Sequence, residues 1–349
     1  MRVHAVALSR HGGPEVLEDV DVDVPAAPPP GLVRVRVLAT ALNHLDLWVR
    51  RGLPHLKLEY PHRLCADVCG VVESIGEGAR APAVGTRVVL QPALSCGTCE
   101  ACLGGRDNFC RSYGILGEHY QGGSIELFDV PASSLLLAPP NLTVEECAAI
   151  PLTYMTAWQM VVRRARVARG DVVLVQAAGS GVSTAAIQIA KSRGARVIAT
   201  SSSAAKLARA RALGADEVID YKAQDFVAEV KRLTGKRGVD VVIEHVGGET
   251  FSRSILALAN GGRLATCGAT SGATPEVDLR HVFFRQLEIL GSTMGSKADL
   301  FPVLREIEAG SLRAIVDRVL PLDAAGAREA SRALEAREAF GKIVLRAKG

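Results

Sequence analysis

The sequence predicts an α/β chain in two parts: an irregular β-rich part through residue 150, then a doubly wound parallel sheet of six strands. Three observations predict it. Before residue 150, short runs alternate apolar and polar residues between proline and glycine clusters. After it, six runs rich in β-branched residues alternate with helical patterns that end in glycine. The 349 residues are enough for two domains at roughly 100–200 residues each.

Taken in order, LVRVRV (32–37) sets Val33, Val35 and Val37 on one face and Arg34 and Arg36 on the other, the pattern of a half-buried strand. Runs 69–75 and 86–91 read the same way, and AAPPPG (26–31), GEG (76–78) and two GG pairs (104–105, 122–123) mark the loops between them. Thr143 and Glu146 stand at capping-box spacing, so a helix follows, interrupted near Pro151. The six buried strands are 172–177, 196–200, 217–220, 239–244, 263–267 and 287–292. Helices at 183–193 and 204–213 end at Gly194 and Gly214. A helix at 298–308 and a strand at 342–346 close the chain and pack back on the first part. No internal repeat or low-complexity segment interrupts this order.

Composition narrows the function. Apolar residues make up 48% and charged residues 22%, an ordinary globular balance. A net charge of +4 with dispersed arginines argues against nucleic acid and anionic membrane as partners. No apolar run approaches the roughly 18 residues of a membrane span. The stretch 3–8 is too short for a signal-peptide core, which points to the cytoplasm. In that reducing compartment, four cysteines within CGTCEACLGGRDNFC (96–110) point to a metal rather than to disulfides. Cys65, Cys69, Cys147 and Cys267 lie in apolar runs and read as small core residues.

VLVQAAGSGVSTAAIQIAK (173–191) is strand, tight turn, helix, the arrangement that brings backbone amides up to a pyrophosphate. Its three glycine positions are Ala178, Ser180 and Ser183, all small, around Gly179, Gly181 and Val182. The next strand runs into ATSSSAAK (199–206), with no acid between 197 and 205 to hold a ribose diol. Ser201 and Lys206 suit a 2′-phosphate, which favours NADPH; with Lys206 solvated, serine hydroxyls would hold NADH instead.

GGPEVL (12–17), NHLDLWVRRG (43–52), GVVESIGEG (70–78), the cysteine loop, PLTYMTAW (151–158), AAGSGVS (177–183) and GKIVL (341–345) together resemble the medium-chain dehydrogenase/reductases over nearly the whole chain. The resemblance implies a GroES-like catalytic domain in two pieces, 1–153 and 296–349, with a zinc lobe at about 94–112. Residues 154–295 would form a Rossmann domain, with the active site in the cleft between the domains and a homodimer as the assembly. Cys96, Cys99, Cys102 and Cys110 match the family's structural zinc spacing, C-x2-C-x2-C-x7-C, one zinc per subunit. An iron–sulfur motif also starts C-x2-C-x2-C but places its fourth cysteine nearer and before proline.

The family's catalytic zinc ligands fall on Asn43, Ala66 and Leu152, none of which ligates zinc, and the proton-relay hydroxyl falls on Leu45. The neighbouring acids persist as Asp46 and Asp67. None of Tyr60, Tyr113, Tyr120, Tyr154 or Tyr221 has a lysine four residues later, so the tyrosine–lysine route to deprotonating an alcohol is missing too. Reduction of an activated C=C needs only hydride at the β-carbon and donors at the carbonyl oxygen. The pattern thus resembles the quinone oxidoreductase and enoyl reductase branches. The retained cysteine lobe points to acryloyl-CoA-type reductases and a coenzyme A thioester as the small-molecule substrate.

The resemblance implies roles. Asn43 would donate to the substrate carbonyl or position the nicotinamide, and His44 would contact the pyrophosphate; Asp46 and Asp67 would support them; His119 and Tyr120, just past the cysteine loop, are proton-donor candidates. Thr156, Gly179, Ser180, Gly181 and Val182 fit the phosphate end, and Val246, Gly268 and Ser292 the nicotinamide end; His245 is a strand-end residue without a catalytic role. Arg163, Arg164, Arg166 and Arg169 are either coenzyme A contacts or a solvated helix face. The rival functions are a quinone oxidoreductase, a zinc alcohol dehydrogenase with relocated ligands, and a dinucleotide-binding sensor.

Overall fold

The computed structural model describes residues 1–54 and 56–348. The chain divides into two compact units, Met1–Leu152 with Ser296–Gly349, and Thr153–Gly295. The first is β-rich. Its largest sheet runs, edge to edge, Leu135–Leu137, Arg87–Leu90, Asp67–Ile75, Leu32–Leu42, Lys342–Arg346 and Val316–Pro321, and Leu127–Pro131 also pairs with Leu32–Leu42. A smaller sheet joins Leu17–Asp23, Arg2–Leu8 and His62–Arg63. Val6, Leu8, Leu42, Ile343 and Leu345 form part of one buried cluster, so strands distant in sequence share a core.

The strand at 32–42 needs one correction. Arg34 does not face water; it is 2% exposed. Asp129 lies across from it and accepts from Nε and Nη2, both at 2.8 Å, while Pro25 O accepts from Nη1. A guanidinium so fully paired tolerates burial.

The second unit is a six-stranded parallel sheet in the order Glu217–Asp220, Arg196–Ser201, Val172–Val175, Val239–Glu244, Leu258–Thr266, Glu288–Gly291. The chain winds outward from Val172–Val175, then restarts beside it at Val239–Glu244. That reversal creates a switch point at the carboxyl ends of those two strands, where such sheets bind ligands. Val173, Leu174 and Val175 are all fully covered, as strands with helices on both faces must be.

Thr143 and Glu146 close the expected capping box on Val144–Ala148. The break near Pro151 is real: Pro151 opens a second helix, Pro151–Trp158, followed by a π-helical turn, Gln159–Arg164. Cys65, Cys69 and Cys147 are core residues; Cys267 is only half-buried, because it lies just past the end of its strand. Among the described residues no helix is long and apolar enough to cross a membrane.

Candidate active site and metal centre

Three adjacent strands bring one polar group together in the first unit. Leu32–Leu42 lies between Asp67–Ile75 and Lys342–Arg346, with Ala41 opposite Asp67 and Leu42 opposite Ile343. Asn43, the first residue past the strand and the N-cap of helix His44–Arg51, therefore has Asp67 on one side and Lys342 on the other. Its Nδ2 donates to Asp67 Oδ2 at 2.8 Å, and its Oδ1 accepts from Lys342 Nζ. Lys342 Nζ also donates to Asp67 Oδ2 (2.8 Å) and Leu42 O (2.7 Å), so all three of its N–H groups are engaged. Asp67 Oδ1 accepts from Leu152 N at 2.7 Å. The lysine and aspartate side chains are 3% and 0% exposed.

Positions 43 and 152 thus meet at Asp67, next to Ala66. Lys342 is a site residue that sequence reasoning missed. The available signal is a lone lysine leading the apolar run IVL, an unusual residue for a buried strand.

Asp46 closes the turn beneath. Its Oδ2 accepts from Asn43 N at 2.6 Å and its Oδ1 from Cys65 N at 2.9 Å. Burial pushes its carboxyl up to about 6. With both oxygens held by backbone amides, Asp46 shapes the loop. His44 is half-buried, its ring edge-on to Trp48 at 5.1 Å, and desolvation followed by Arg51 lowers its pKa. His119 and Tyr120 are exposed; His119 Nδ1 accepts from Ile115 N at 3.2 Å. Among the described residues no hydrogen bond joins His119 to Asn43, Asp67 or Lys342.

In the second unit the glycine turn follows Val172–Val175 through Ala177, whose φ is +50°. Ser180 caps helix Gly181–Ser192, its Oγ accepting from Ser183 N at 3.0 Å. The amides of Gly181 and Val182 stand in the first turn, without an acceptor four residues back, at the positive end of the helix dipole. That set suits a pyrophosphate. Ser183 is fully buried and donates to Gln176 O at 2.7 Å.

His245 is more than a strand end. Its Nε2 lies 3.0 Å from Ser180 Oγ and 2.8 Å from Ser183 Oγ, so it braces the glycine turn. The cause is topological: Val239–Glu244 is the neighbour of Val172–Val175 across the switch point. Val246 N donates to Glu244 Oε1 at 3.1 Å, a Cβ on Gly268 would meet His245 O at 3.1 Å, and Ser292 N donates to Thr266 O at 2.8 Å. These three residues line the same carboxyl edge of the sheet. Ser292 Oγ is buried without a partner among the described residues, a cost that a nicotinamide amide would relieve. Ser201 ends its strand, 5% exposed, and Lys206 lies in the first turn of Ala204–Ala212 capped by Ser203. Thr156 lies on Pro151–Trp158, buried, with its hydroxyl 4.0 Å from Met294 Sδ.

The four thiols of the cysteine lobe lie within 4.8 Å of one another. Cys96–Cys110, Cys99–Cys102 and Cys96–Cys102 are 3.5, 3.6 and 3.9 Å apart. A tetrahedron with Zn–S near 2.3 Å needs sulfurs about 3.8 Å apart, so the set fits zinc. Backbone amides at Thr98 and Cys99 hold the Cys96 thiol down at about 6, toward the thiolate a metal requires. Four protein ligands leave no open position for substrate. Asp107 ties the lobe to its unit, accepting from Gln91 Nε2 (2.8 Å) and Lys297 N (2.9 Å). Among the described residues this is the only group of three or more such ligands gathered for a metal.

Comparison with known proteins agrees with this anatomy. Residues 29–140 match the family described as alcohol dehydrogenase GroES-like domain, and residues 181–309 match zinc-binding dehydrogenase. A 2-haloacrylate reductase from a Burkholderia species is 31% identical, covering 98% of each chain. A quinone oxidoreductase from Sus scrofa is 28% identical over 98% of this chain and 97% of its own. A crystal structure of an NAD-dependent alcohol dehydrogenase superposes with a TM-score of 0.94 at 55% identity, covering 98% of this chain and 99% of the other.

Proposed function

Since the chain belongs to the medium-chain dehydrogenase/reductase superfamily, among its zinc-type alcohol dehydrogenase-like members, and is an NAD(P)-dependent oxidoreductase, we propose that it reduces a C=C bond conjugated to a carbonyl. The observation that carries this reading is the closed group Asn43–Asp67–Lys342. Where the superfamily's alcohol dehydrogenases hold a catalytic metal, this chain has an amide and an ion pair that satisfy one another.

The nicotinamide, when bound, supplies hydride. The residues that would hold it are Gly179, Ser180, Gly181 and Val182 at the phosphates, Ser201 and Lys206 at the adenosine ribose, and Val246, Gly268 and Ser292 at the ring, with His44 and Thr156 as further contacts. As hydride reaches the β-carbon, charge gathers on the carbonyl oxygen. The second N–H of Asn43 Nδ2 donates to it. Protonation of the resulting enolate comes from water: His119 Nδ1 accepts from Ile115 N, and a histidine that gives up a proton must carry one on both nitrogens. The four-cysteine lobe would hold a structural zinc through Cys96, Cys99, Cys102 and Cys110.

The favoured substrate is an enoyl-CoA thioester of acryloyl type. Support comes from the retained lobe and from the haloacrylate reductase, which by its name acts on an acrylate. It does not come from the arginines: Arg166 binds Glu288 at 2.6 Å and Arg164 binds Gly291 O at 2.8 Å. NADPH is favoured by Lys206 and the missing acid. A second reading, NAD-dependent alcohol oxidation, is favoured by the 55% identical structure. A homodimer is supported by the sheet edge: among the described residues Glu288–Gly291 has one neighbouring strand, and Leu279, Phe283, Phe284 and Ile289 beside it are exposed.

The test is a turnover screen of crotonyl-CoA, acryloyl-CoA, quinones, alkenals and primary alcohols with both nicotinamides, paired with zinc analysis. Alkene reduction with one zinc per subunit supports the reading; alcohol oxidation with two zincs overturns it. Asn43→Ala should lower kcat about 100-fold; unchanged kcat at saturating substrate removes Asn43 from the mechanism.

A further inference from the structure

We propose that Lys342 is a positioning residue that fixes which way the Asn43 amide faces and strengthens it as a donor. The assignment rests on the reading that Asn43 donates to the substrate carbonyl.

An asparagine amide can be turned over, exchanging its oxygen for its NH2 group. Here both neighbours forbid the exchange. Asp67 only accepts, and an ammonium only donates. The observed orientation sets Nδ2 on Asp67 Oδ2 at 2.8 Å and Oδ1 on Lys342 Nζ. Turned over, the amide oxygen would face a carboxylate and its NH2 an ammonium. The direction of the one remaining N–H is therefore set by an ion pair rather than by shape.

A cation on the amide oxygen also draws electron density from nitrogen, which makes the free N–H a stronger donor. Lys342 does not reach substrate itself, because Leu42 O, Asn43 Oδ1 and Asp67 Oδ2 occupy its three N–H groups. It acts through Asn43.

The double variant Asp67→Asn/Lys342→Met tests this without stranding a buried charge, as either single change would. Leu152 N holds one oxygen at position 67, so the new asparagine keeps its own oxygen there and turns its NH2 toward Asn43. Asn43 must then accept with Oδ1, and its amide turns over. Two readouts follow. The chain has four asparagines, Asn43, Asn108, Asn141 and Asn260, so selective 15N-asparagine labelling gives four side-chain NH2 signals. Loss of one in Asn43→Ala identifies it, and the double variant, which carries a fifth asparagine at position 67, is assigned in the same way by adding Asn43→Ala to it. In the wild type that signal is shifted downfield by the charged partners, and in the double variant it moves to the position of an ordinary amide. Kinetically, the double variant has kcat reduced at least 10-fold, with dinucleotide KM within twofold and a melting temperature near wild type.

An unchanged Asn43 signal in the folded double variant overturns the proposal. So does wild-type kcat, which would leave Lys342 a purely structural ion-pair partner. A double variant that does not fold moves the test to Lys342→Arg: a cation that keeps the Asn43 signal downfield supports the assignment, and loss of the signal shift with the cation retained refutes it. If the wild type reduces no activated alkene, the functional reading fails, and the NMR signal alone decides the role of Lys342.

Discussion

Glu244 is fully buried and, among the described residues, has no cation beside it; Val246 N and Gly247 N donate to its carboxylate. Burial pushes its carboxyl up to about 7. Between the ordinary carboxylate range and that value the folded chain holds a proton that the unfolded chain has released. Its contribution is therefore fully present at low pH and is lost as pH rises through about 7. Glu244→Gln, which cannot ionise, should gain up to about 3 kcal/mol relative to wild type between pH 5 and pH 8. Thermal unfolding at both pH values checks it, and parallel shifts would reject it. At this scale the sequence is half legible. Asn43 stands out because it interrupts a recognisable motif, and Asp67 because it persists beside the lost ligand position at Ala66. Lys342 does not, since its partner Asp67 is 275 residues away and only strand register joins them. His245 is hidden for the same reason: its bonds to Ser180 and Ser183 depend on which strand lies beside which.

The cysteine lobe is an element with almost no core. Its helix Glu100–Leu103 is one turn long, and Leu103 and Phe109 are exposed. Below the size at which burial suffices, metal binding supplies the folding energy. Cys99→Ser should lower the melting temperature by several degrees, while kcat of the folded fraction changes less than threefold. Equal stability with lost turnover would contradict this. The lobe is readable from spacing alone, as are the parallel strands, whose β-branched runs are covered on both faces. Helix Ala324–Glu335 is not, because no large apolar residue repeats along it. Ala324, Ala327, Ala330 and Ala333 are all buried, a period of three carried by side chains too small to register as a stripe. Close approach is what they permit: a Cβ on Gly326 would lie 2.2 Å from Pro321 O.

At the scale of the molecule, the edge strand Glu288–Gly291 and the exposed pair Phe283–Phe284, with ring centroids 4.5 Å apart, make one apolar border. Phe284→Asp should convert a dimer to a monomer in light scattering at micromolar concentration, and an unchanged mass would move the interface elsewhere. The division of the chain has a further meaning in time. The second unit is continuous and is complete once residue 295 has been made. The first is split, and its central strand Leu32–Leu42 waits for Lys342–Arg346 to be laid beside it. During synthesis the dinucleotide sheet can fold while the carboxylate of Asp67 still lacks its cation. The group proposed to meet the substrate is thus among the last parts of the protein to exist, and a chain stalled on the ribosome before residue 342 has the six-stranded sheet without the Asp67–Lys342 pair.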